Sequence, residues 1–211
     1  VTREVSFRWM CAMYRRVKHP GCYFDAYIIL TDPTQGTGKT KIFEKLTEGL
    51  DIRDGHGTTI NYTAVSASPT YNDKDNAMMI NSSIITTFDE GSDMKYSKLE
   101  KFKSFISQNT CNLRIPYEKY NKTIRVHTVF SVTTNDEKFL TDTTSNYERR
   151  AWVLKCHGNP NRSPEEWNKL IPNEYIQQMW AEAKWWNENP EQAEERHGWK
   201  IAGGSISALT S

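Results

Sequence analysis

The chain has 211 residues, a formal net charge of +1 and 37% hydrophobic residues. That is enough for one domain with a full apolar core, with no overall basic field, so any contact with nucleic acid must be made by a local patch. Four cysteines (Cys11, Cys22, Cys111, Cys156) lie far apart without a CxxC pair, which argues against zinc and disulfide frameworks and for reduced thiols; no apolar run reaches membrane-spanning length and the start lacks a signal peptide's pattern.

Taken in order, Val5 to Val17 reads as a helix with Phe7, Met10, Cys11 and Tyr14 on one face, ended by His19-Pro20-Gly21. The apolar run Tyr27-Ile28-Ile29-Leu30 reads as a buried strand, and Pro33-Thr-Gln35-Gly36-Thr37-Gly38-Lys39-Thr40 follows directly. Ile42, Phe43 and Leu46 then continue at helical spacing. A strand, a glycine-rich turn and a helix in that order form a phosphate-binding loop. Its glycines let the backbone curl around a polyphosphate, and the helix aims its first amides at the anion. In this reading Gln35 to Thr40 bind the nucleotide, Lys39 reaches the β- and γ-phosphates, and the Thr40 hydroxyl ligates Mg²⁺.

Further elements follow. Thr58 to Tyr62 is a candidate strand, and Ser66 to Asp75 a polar loop. Ile84 to Phe88 is β-branched and apolar and ends in Asp89-Glu90, as a buried parallel strand would if it delivered two carboxylates to the sheet's edge. Neighbouring side chains on a strand point opposite ways, so Asp89 can hold the metal while Glu90 activates the attacking water. Ser97 to Ser107 reads as a helix with a Ser97/Glu100 capping box and Leu99, Phe102 and Ile106 facing inward. Val126 to Val132 is another strand; Asn135 beyond it either contacts the attacking water or γ-phosphate or simply forms a turn with Asp136. Glu148-Arg149-Arg150 precedes the strand-like Ala151 to Leu154. The two arginines are either a solvated edge or the source of a finger that reaches a neighbouring subunit's site.

Ser163-Pro164-Glu165-Glu166 opens a helix with a capping box and Pro at its first position. Glu174 to Trp186 is helical, and Trp180, Trp185 and Trp186 suit core or inter-subunit packing better than base stacking. Beyond Pro190 the chain reads as a charged, then Gly/Ser-rich tail. Between the acidic pair and Asn135, the residues Arg114, Tyr117, Lys119, Tyr120, Lys122 and Arg125 interleave basic and aromatic side chains around a hairpin from Tyr117 to Thr123. Such a pattern suits phosphate neutralisation and stacking on single-stranded DNA, although an ordinary exposed hairpin has the same composition.

Read together, these motifs resemble the virulence-associated protein E family of phage and pathogenicity-island replication proteins. The ordered series runs from Arg16 and Pro20-Gly21-Cys22 through the glycine loop, Lys74-Asp75, Asp89-Glu90 and Lys101 to Phe105. It continues through Arg114 with Pro116-Tyr117, Thr133-Thr134-Asn135-Asp136 with Phe139-Leu140, and Arg149-Arg150 with Trp152. The chain departs from the family pattern at Pro33, Thr40 and Tyr147-Glu148.

The resemblance implies an α/β P-loop NTPase of the AAA+/superfamily III helicase kind, with a parallel central sheet flanked by helices and a small C-terminal helical segment. It implies Walker A- and Walker B-type motifs, ATP and Mg²⁺ as cofactors, and catalytic roles for Lys39, Glu90, Asn135 and Arg149 or Arg150. It also implies metal binding by Thr40 and Asp89, and DNA contact through Arg114, Lys119, Tyr120 and Lys122. The expected partners are single-stranded or forked DNA, further copies in a hexameric ring, and an upstream primase-like or DNA-binding region, since the first residue is Val. The expected setting is the cytoplasm of a bacterial host, without membrane contact. The expected layout is an N-terminal helix over residues 1–24, an ATPase core over 25–158, a helical segment over 159–188 and a tail over 189–211. Two alternatives stay open at this level: an ATP-dependent initiator or loader, and a small-molecule kinase. Asp89-Glu90, suited to activating water, speaks against the kinase.

Overall fold

In the computed structural model, residues 2–48, 50, 63–66, 77, 78, 80, 82–89, 102, 104–113, 122–135 and 150–198 are described. Five strands form one parallel sheet: β1 (Tyr27–Thr31), β2 (Thr63–Ser66), β3 (Ile85–Phe88), β6 (Val129–Thr134) and β7 (Ala151–Lys155), in the order β2-β3-β6-β1-β7. A separate antiparallel pair, β4 (Thr110–Leu113) and β5 (Lys122–Arg125), joins Thr110 to Arg125 and Leu113 to Lys122.

β1, β3 and β6 are buried along their whole lengths, as expected of parallel strands covered on both faces. Alternation along β1 sorts its side chains. Ile28 and Leu30 join Val5, Trp9 and Met13 of helix α1 (Thr2–Lys18) and Phe43 and Leu46 of helix α2 (Lys39–Glu48). Tyr27 and Ile29 face the opposite way, onto Phe88, Phe102, Phe130 and Ile106. Where small polar residues enter the sheet interior, their hydroxyls pair with one another: Thr87 with Ser131 at 2.8 Å and Thr86 with Thr128 at 3.0 Å, which removes the cost of burying them unsatisfied.

After β7 come α3 (Pro164–Leu170), α4 (Asn173–Glu188) and α5 (Pro190–His197). The Ser163/Glu166 capping box at the start of α3 is present in both directions. α4 packs on α1, where Asn187 Nδ2 donates to the Cys11 carbonyl at 3.1 Å. Trp180 donates from Nε1 to the Leu46 carbonyl at 2.9 Å, and Trp186 packs on Phe7 with ring centroids 4.2 Å apart. Both are packing residues, whereas Trp185 is exposed.

Several boundaries differ from the sequence reading. Residues 190–197, expected to start a tail, form α5. Ala193 is fully buried and His197 lies against Phe7 and Trp186, so contacts made across the fold order a segment whose own apolar signal is one alanine. β6 starts at Val129 and not at Val126. The Val126 N–H donates to the Asn109 carbonyl and its carbonyl accepts from Gly21 N–H, so residues 126–128 link the β4–β5 pair to the end of α1. The strand expected at Thr58 to Tyr62 lies outside the described residues; β2 at Thr63–Ser66 takes Ser66 out of the expected loop. Ser97, Leu99 and Glu100 also lie outside them, but 102 and 104–106 are helical, with Phe102 and Ile106 buried as expected and Phe105 buried as well.

Candidate nucleotide site

The register of the sheet decides what its C-terminal edge presents. Thr31 at the end of β1 pairs with Thr134 of β6 and with Lys155 of β7. The chain leaves β1 towards β2 and leaves β6 towards β7, in opposite directions along the sheet. A crevice therefore opens above the ends of these strands, where open α/β sheets bind ligands.

The loop from Asp32 to Gly38 fills the floor of this crevice. Gly36 and Gly38 have φ of 73° and 84°, the left-handed region that glycine enters without strain. Gly38 is further restricted, because a Cβ there would lie 2.1 Å from the Trp167 ring. α2 begins at Lys39, with Ile42 N–H donating to the Gly38 carbonyl at 3.1 Å. Lys39 is buried, and its ammonium has four oxygens around it: the Asp32 and Thr34 carbonyls at 3.3 Å, Thr37 Oγ1 at 3.5 Å and Asn135 Oδ1 at 2.5 Å. The structure thus brings together Lys39 and Asn135, which lie far apart in sequence and which motif reading had assigned to one site. Gln35 and Gly36 are exposed on the loop, whereas Thr37 is buried.

Thr40 and Asp89 meet on the other side of the loop. Thr40 Oγ1 lies 3.5 Å from Asp89 Oδ1, and Thr133 Oγ1 on β6 donates to the same carboxylate oxygen. Ligand oxygens sit about 2.0–2.1 Å from Mg²⁺ in near-octahedral geometry, which puts neighbouring ligands about 2.9 Å apart, so the pair would close by about half an ångström to share one ion directly. The hydroxyl–carboxylate pair fits a shared Mg²⁺ or its water shell, and the donor set is the hard oxygen chemistry that this ion takes. Among the described residues there is no cluster of three or more His, Cys, Asp or Glu suited to a metal, so a cation here would take its remaining ligands from water or substrate.

Three groups that shape the site were not singled out from sequence. Asp32 is buried; its Oδ1 accepts from Thr34 N–H at 2.9 Å and its Oδ2 from Gly158 N–H at 3.1 Å. The Thr34 amide bond holds its carboxyl below the usual carboxylate range, against the opposing effect of burial and helped by Gly158, Thr37 and the Lys39 charge. Asp-Pro-Thr is an Asx-turn pattern, so this turn was legible locally; its bond to Gly158, across the fold, was not. Thr133 is the second group. The third is the segment after β7: Cys156 N–H donates to the Thr31 carbonyl at 2.8 Å, Asn161 N–H to the Gly36 carbonyl at 3.3 Å, and Trp167 lies on Gly38.

Arg150 stands at the opposite end of the sheet. It precedes β7, its carbonyl accepts from Tyr27 N–H, its Nε pairs with Asp25 Oδ2 at 2.9 Å and it donates to Ser107 Oγ at 2.9 Å. Its guanidinium is thus engaged within its own chain and away from its own glycine loop. Arg149 lies outside the described residues, as do Glu90, Arg114, Lys119 and Tyr120. Lys122 opens β5. Of the hairpin expected between Tyr117 and Thr123, residues 117–121 lie outside the described residues; Lys122 and Thr123 belong to β5, which pairs antiparallel with β4.

The fold and this edge define the class of protein: an α/β domain with a five-stranded parallel sheet between helices and a glycine loop after β1, an inner strand. Two A-form apo structures of the NrS-1 C terminal region share the fold. One is 15% identical, with a TM-score of 0.50 over 80% of this chain and 38% of that one; the other is 14% identical, with a TM-score of 0.52 over 82% and 40%. The chain therefore spans about two fifths of those proteins' length. The description of the virulence-associated protein E-like domain matches residues 1–202, and the chain belongs to that family. No curated protein matches it. Among the described residues no helix is long and apolar enough to cross a membrane.

Proposed function

We propose that this domain is a P-loop ATPase of the AAA+/superfamily III helicase kind, which hydrolyses ATP with Mg²⁺ to unwind or move along DNA during replication of a phage or mobile element. The observation that carries the reading is the meeting of Lys39 and Asn135 at 2.5 Å beside Thr40 and Asp89, at the C-terminal edge of strands in the order β2-β3-β6-β1-β7. Three separated stretches of sequence, each suited to one part of phosphoryl transfer, converge on one crevice.

The chemistry follows from the contacts. Lys39 is held by neutral oxygens, so a γ-phosphate oxygen, charged and stronger as an acceptor, would displace Asn135 from the ammonium. The freed Asn135 amide would then orient the attacking water or contact the γ-phosphate. Glu90, next to Asp89, would take the proton from that water. Mg²⁺ held by Thr40 and Asp89 would neutralise charge on the β- and γ-phosphates. Catalysis here is positioning and electrostatics, and an arginine from a neighbouring copy in a ring, Arg149 in preference to the engaged Arg150, would complete it.

Coupling to DNA would run through β6. Asn135 follows the C-terminal end of this strand, and residues 126–128 tie its start to the β4–β5 pair; in sequence Arg114, Lys119 and Tyr120 fall between these two strands and Lys122 opens the second. A shift of Asn135 on nucleotide binding or hydrolysis would reach the hairpin along one short rigid element.

The test is the Mg²⁺-dependent ATPase rate with and without single-stranded DNA, with mass in solution measured alongside. The expected result is hydrolysis that rises on adding DNA. Hydrolysis unaffected by DNA, with no strand displacement from an assembled ring, would reject the motor in favour of an initiator or loader. Phosphate transfer to a nucleoside would reject both.

A further inference from the structure

A cavity of about 220 Å³ lies beside the glycine loop, between Thr37 and Lys39 on one side and the segment from Cys156 to Ile171 on the other. We propose that it is the nucleobase subsite of the nucleotide site, taking the planar ring of a nucleoside di- or triphosphate by apolar and cation–π contact and not by polar readout. The proposal rests on the phosphate-loop reading above.

Four observations carry it. The cavity adjoins Lys39, so a ligand whose phosphates lie on the loop has its other end within reach. It is smaller than the roughly 300–1,000 Å³ of pockets that enclose a drug-sized molecule, so it suits one ring system and not a whole nucleotide. Its walls are predominantly apolar: Ile42 on α2, Trp167 and Leu170 on α3, and Ile171. The Arg162 guanidinium lies 5.3 Å from the centre of the Trp167 ring, a planar cation layered on an aromatic face, against which a base can also stack.

The wall is also held in place. Trp167 is buried against Gly38, Gly158 fits against Thr37 with no room for a Cβ, and Asp32 bonds the Gly158 amide. Lys45 on α2 donates to Asn168 Oδ1 on α3 at 2.5 Å. The loop that would hold phosphates and the wall that would hold the base thus form one packed unit, a preorganised arrangement that lowers the cost of binding.

Selectivity follows from the lining. None of the residues around the cavity carries a carboxylate, the strongest side-chain acceptor for the ring and exocyclic N–H groups by which guanine is distinguished; the side-chain acceptors in the lining are the Thr37 hydroxyl, the His157 imidazole and the weakly accepting Cys156 sulfur. Every base has a π-face, and stacking tolerates any of them. Discrimination among bases is therefore expected to stay within about tenfold, since strong rejection requires buried polar groups matched to one ligand.

The experiment is calorimetric titration of the full chain with Mg²⁺ and, in turn, ADP, GDP, CDP and pyrophosphate, none of which the proposed hydrolysis consumes. ADP is expected to bind at least about tenfold tighter than pyrophosphate, with GDP and CDP within about tenfold of ADP. Arg162→Ala is expected to weaken ADP about three- to tenfold while leaving pyrophosphate within about twofold. Leu170→Ala, at a half-exposed position that does not endanger folding, should weaken ADP in the same selective way by a smaller factor. Equal affinity for ADP and pyrophosphate would refute the base subsite while the phosphate loop stood. Equal loss of both ligands in Arg162→Ala would make Arg162 a phosphate contact and overturn the proposal. A preference for one base above about a hundredfold would mean polar readout of the base, for instance by Thr37 or His157, and would overturn it too. Binding of none of the four would reject the phosphate-loop reading and the subsite with it.

Discussion

Asp32→Ala removes the carboxylate that joins the glycine loop to the segment after β7. In the folded chain that group is buried and accepts two backbone N–H bonds, from Thr34 at 2.9 Å and Gly158 at 3.1 Å. Hydrogen bonds to a charged group contribute about 1.5–3 kcal/mol each, and the cost of desolvating the carboxylate offsets part of the sum. The net loss on truncation is therefore about 3 kcal/mol, with two amides left unpaired. In a domain of this length each kcal/mol moves the thermal midpoint by about 2–4 °C, so the midpoint should fall by about 6–12 °C. Asp32→Asn keeps an oxygen for Thr34 but turns an NH₂ towards the Gly158 N–H, and should lose about 2 kcal/mol.

The pH dependence has a definite sign. The folded carboxyl is held below its ordinary value, chiefly by the Thr34 amide bond, so its stabilisation is present above the unfolded value of about pH 4. It is lost as pH falls further, through the folded value. Urea titrations of the three proteins at neutral pH and at successively lower pH measure both effects. The gap between wild type and Asp32→Asn should narrow below about pH 4. A change under about 0.5 kcal/mol for Asp32→Ala, or a gap that widens in acid, would refute the clamp.

Other outcomes are expected at the site and its surroundings. Lys39→Ala should abolish triphosphate binding measured by calorimetry, and near-native affinity would remove the lysine from the phosphate site. Asn135→Ala should lower kcat by about 10²-fold, the scale of losing one positioned polar group in a transition state, while KM for ATP changes little; a rise in KM alone would make Asn135 a binding group. Arg150→Ala should cost about 1–2 kcal/mol through its Asp25 and Ser107 contacts, seen as a lower thermal midpoint whatever the assembly state. Arg149→Ala should spare that midpoint and inactivate only assembled rings, so a monomeric variant with full hydrolysis would contradict the finger. Lys119→Ala with Lys122→Ala should weaken single-stranded DNA binding and flatten its salt dependence without touching basal ATPase, and unchanged salt dependence would place the DNA path elsewhere.

Sequence by itself determined the strands with continuous apolar runs, β1, β3 and β7, and the helices with strong periodicity or caps, α1, α3 and α4, because burial on both faces or along one stripe leaves a local signature. It also determined which residue types were available for phosphate and metal, since glycines before Gly-Lys-Thr and paired carboxylates after a strand have meaning within a few residues. Tertiary structure alone decided that Lys39 and Asn135 touch, because their meeting depends on β1 and β6 being neighbours in register. It alone decided that Arg150 is tied to Asp25 at the far end of the sheet, that Thr133 holds Asp89, and that residues 190–197 are helical around one buried alanine. The wall beside the glycine loop is the clearest case. Trp167 lies on Gly38 from far along the chain, and a contact across such a separation has no local pattern to announce it, because only packing of the finished fold creates it.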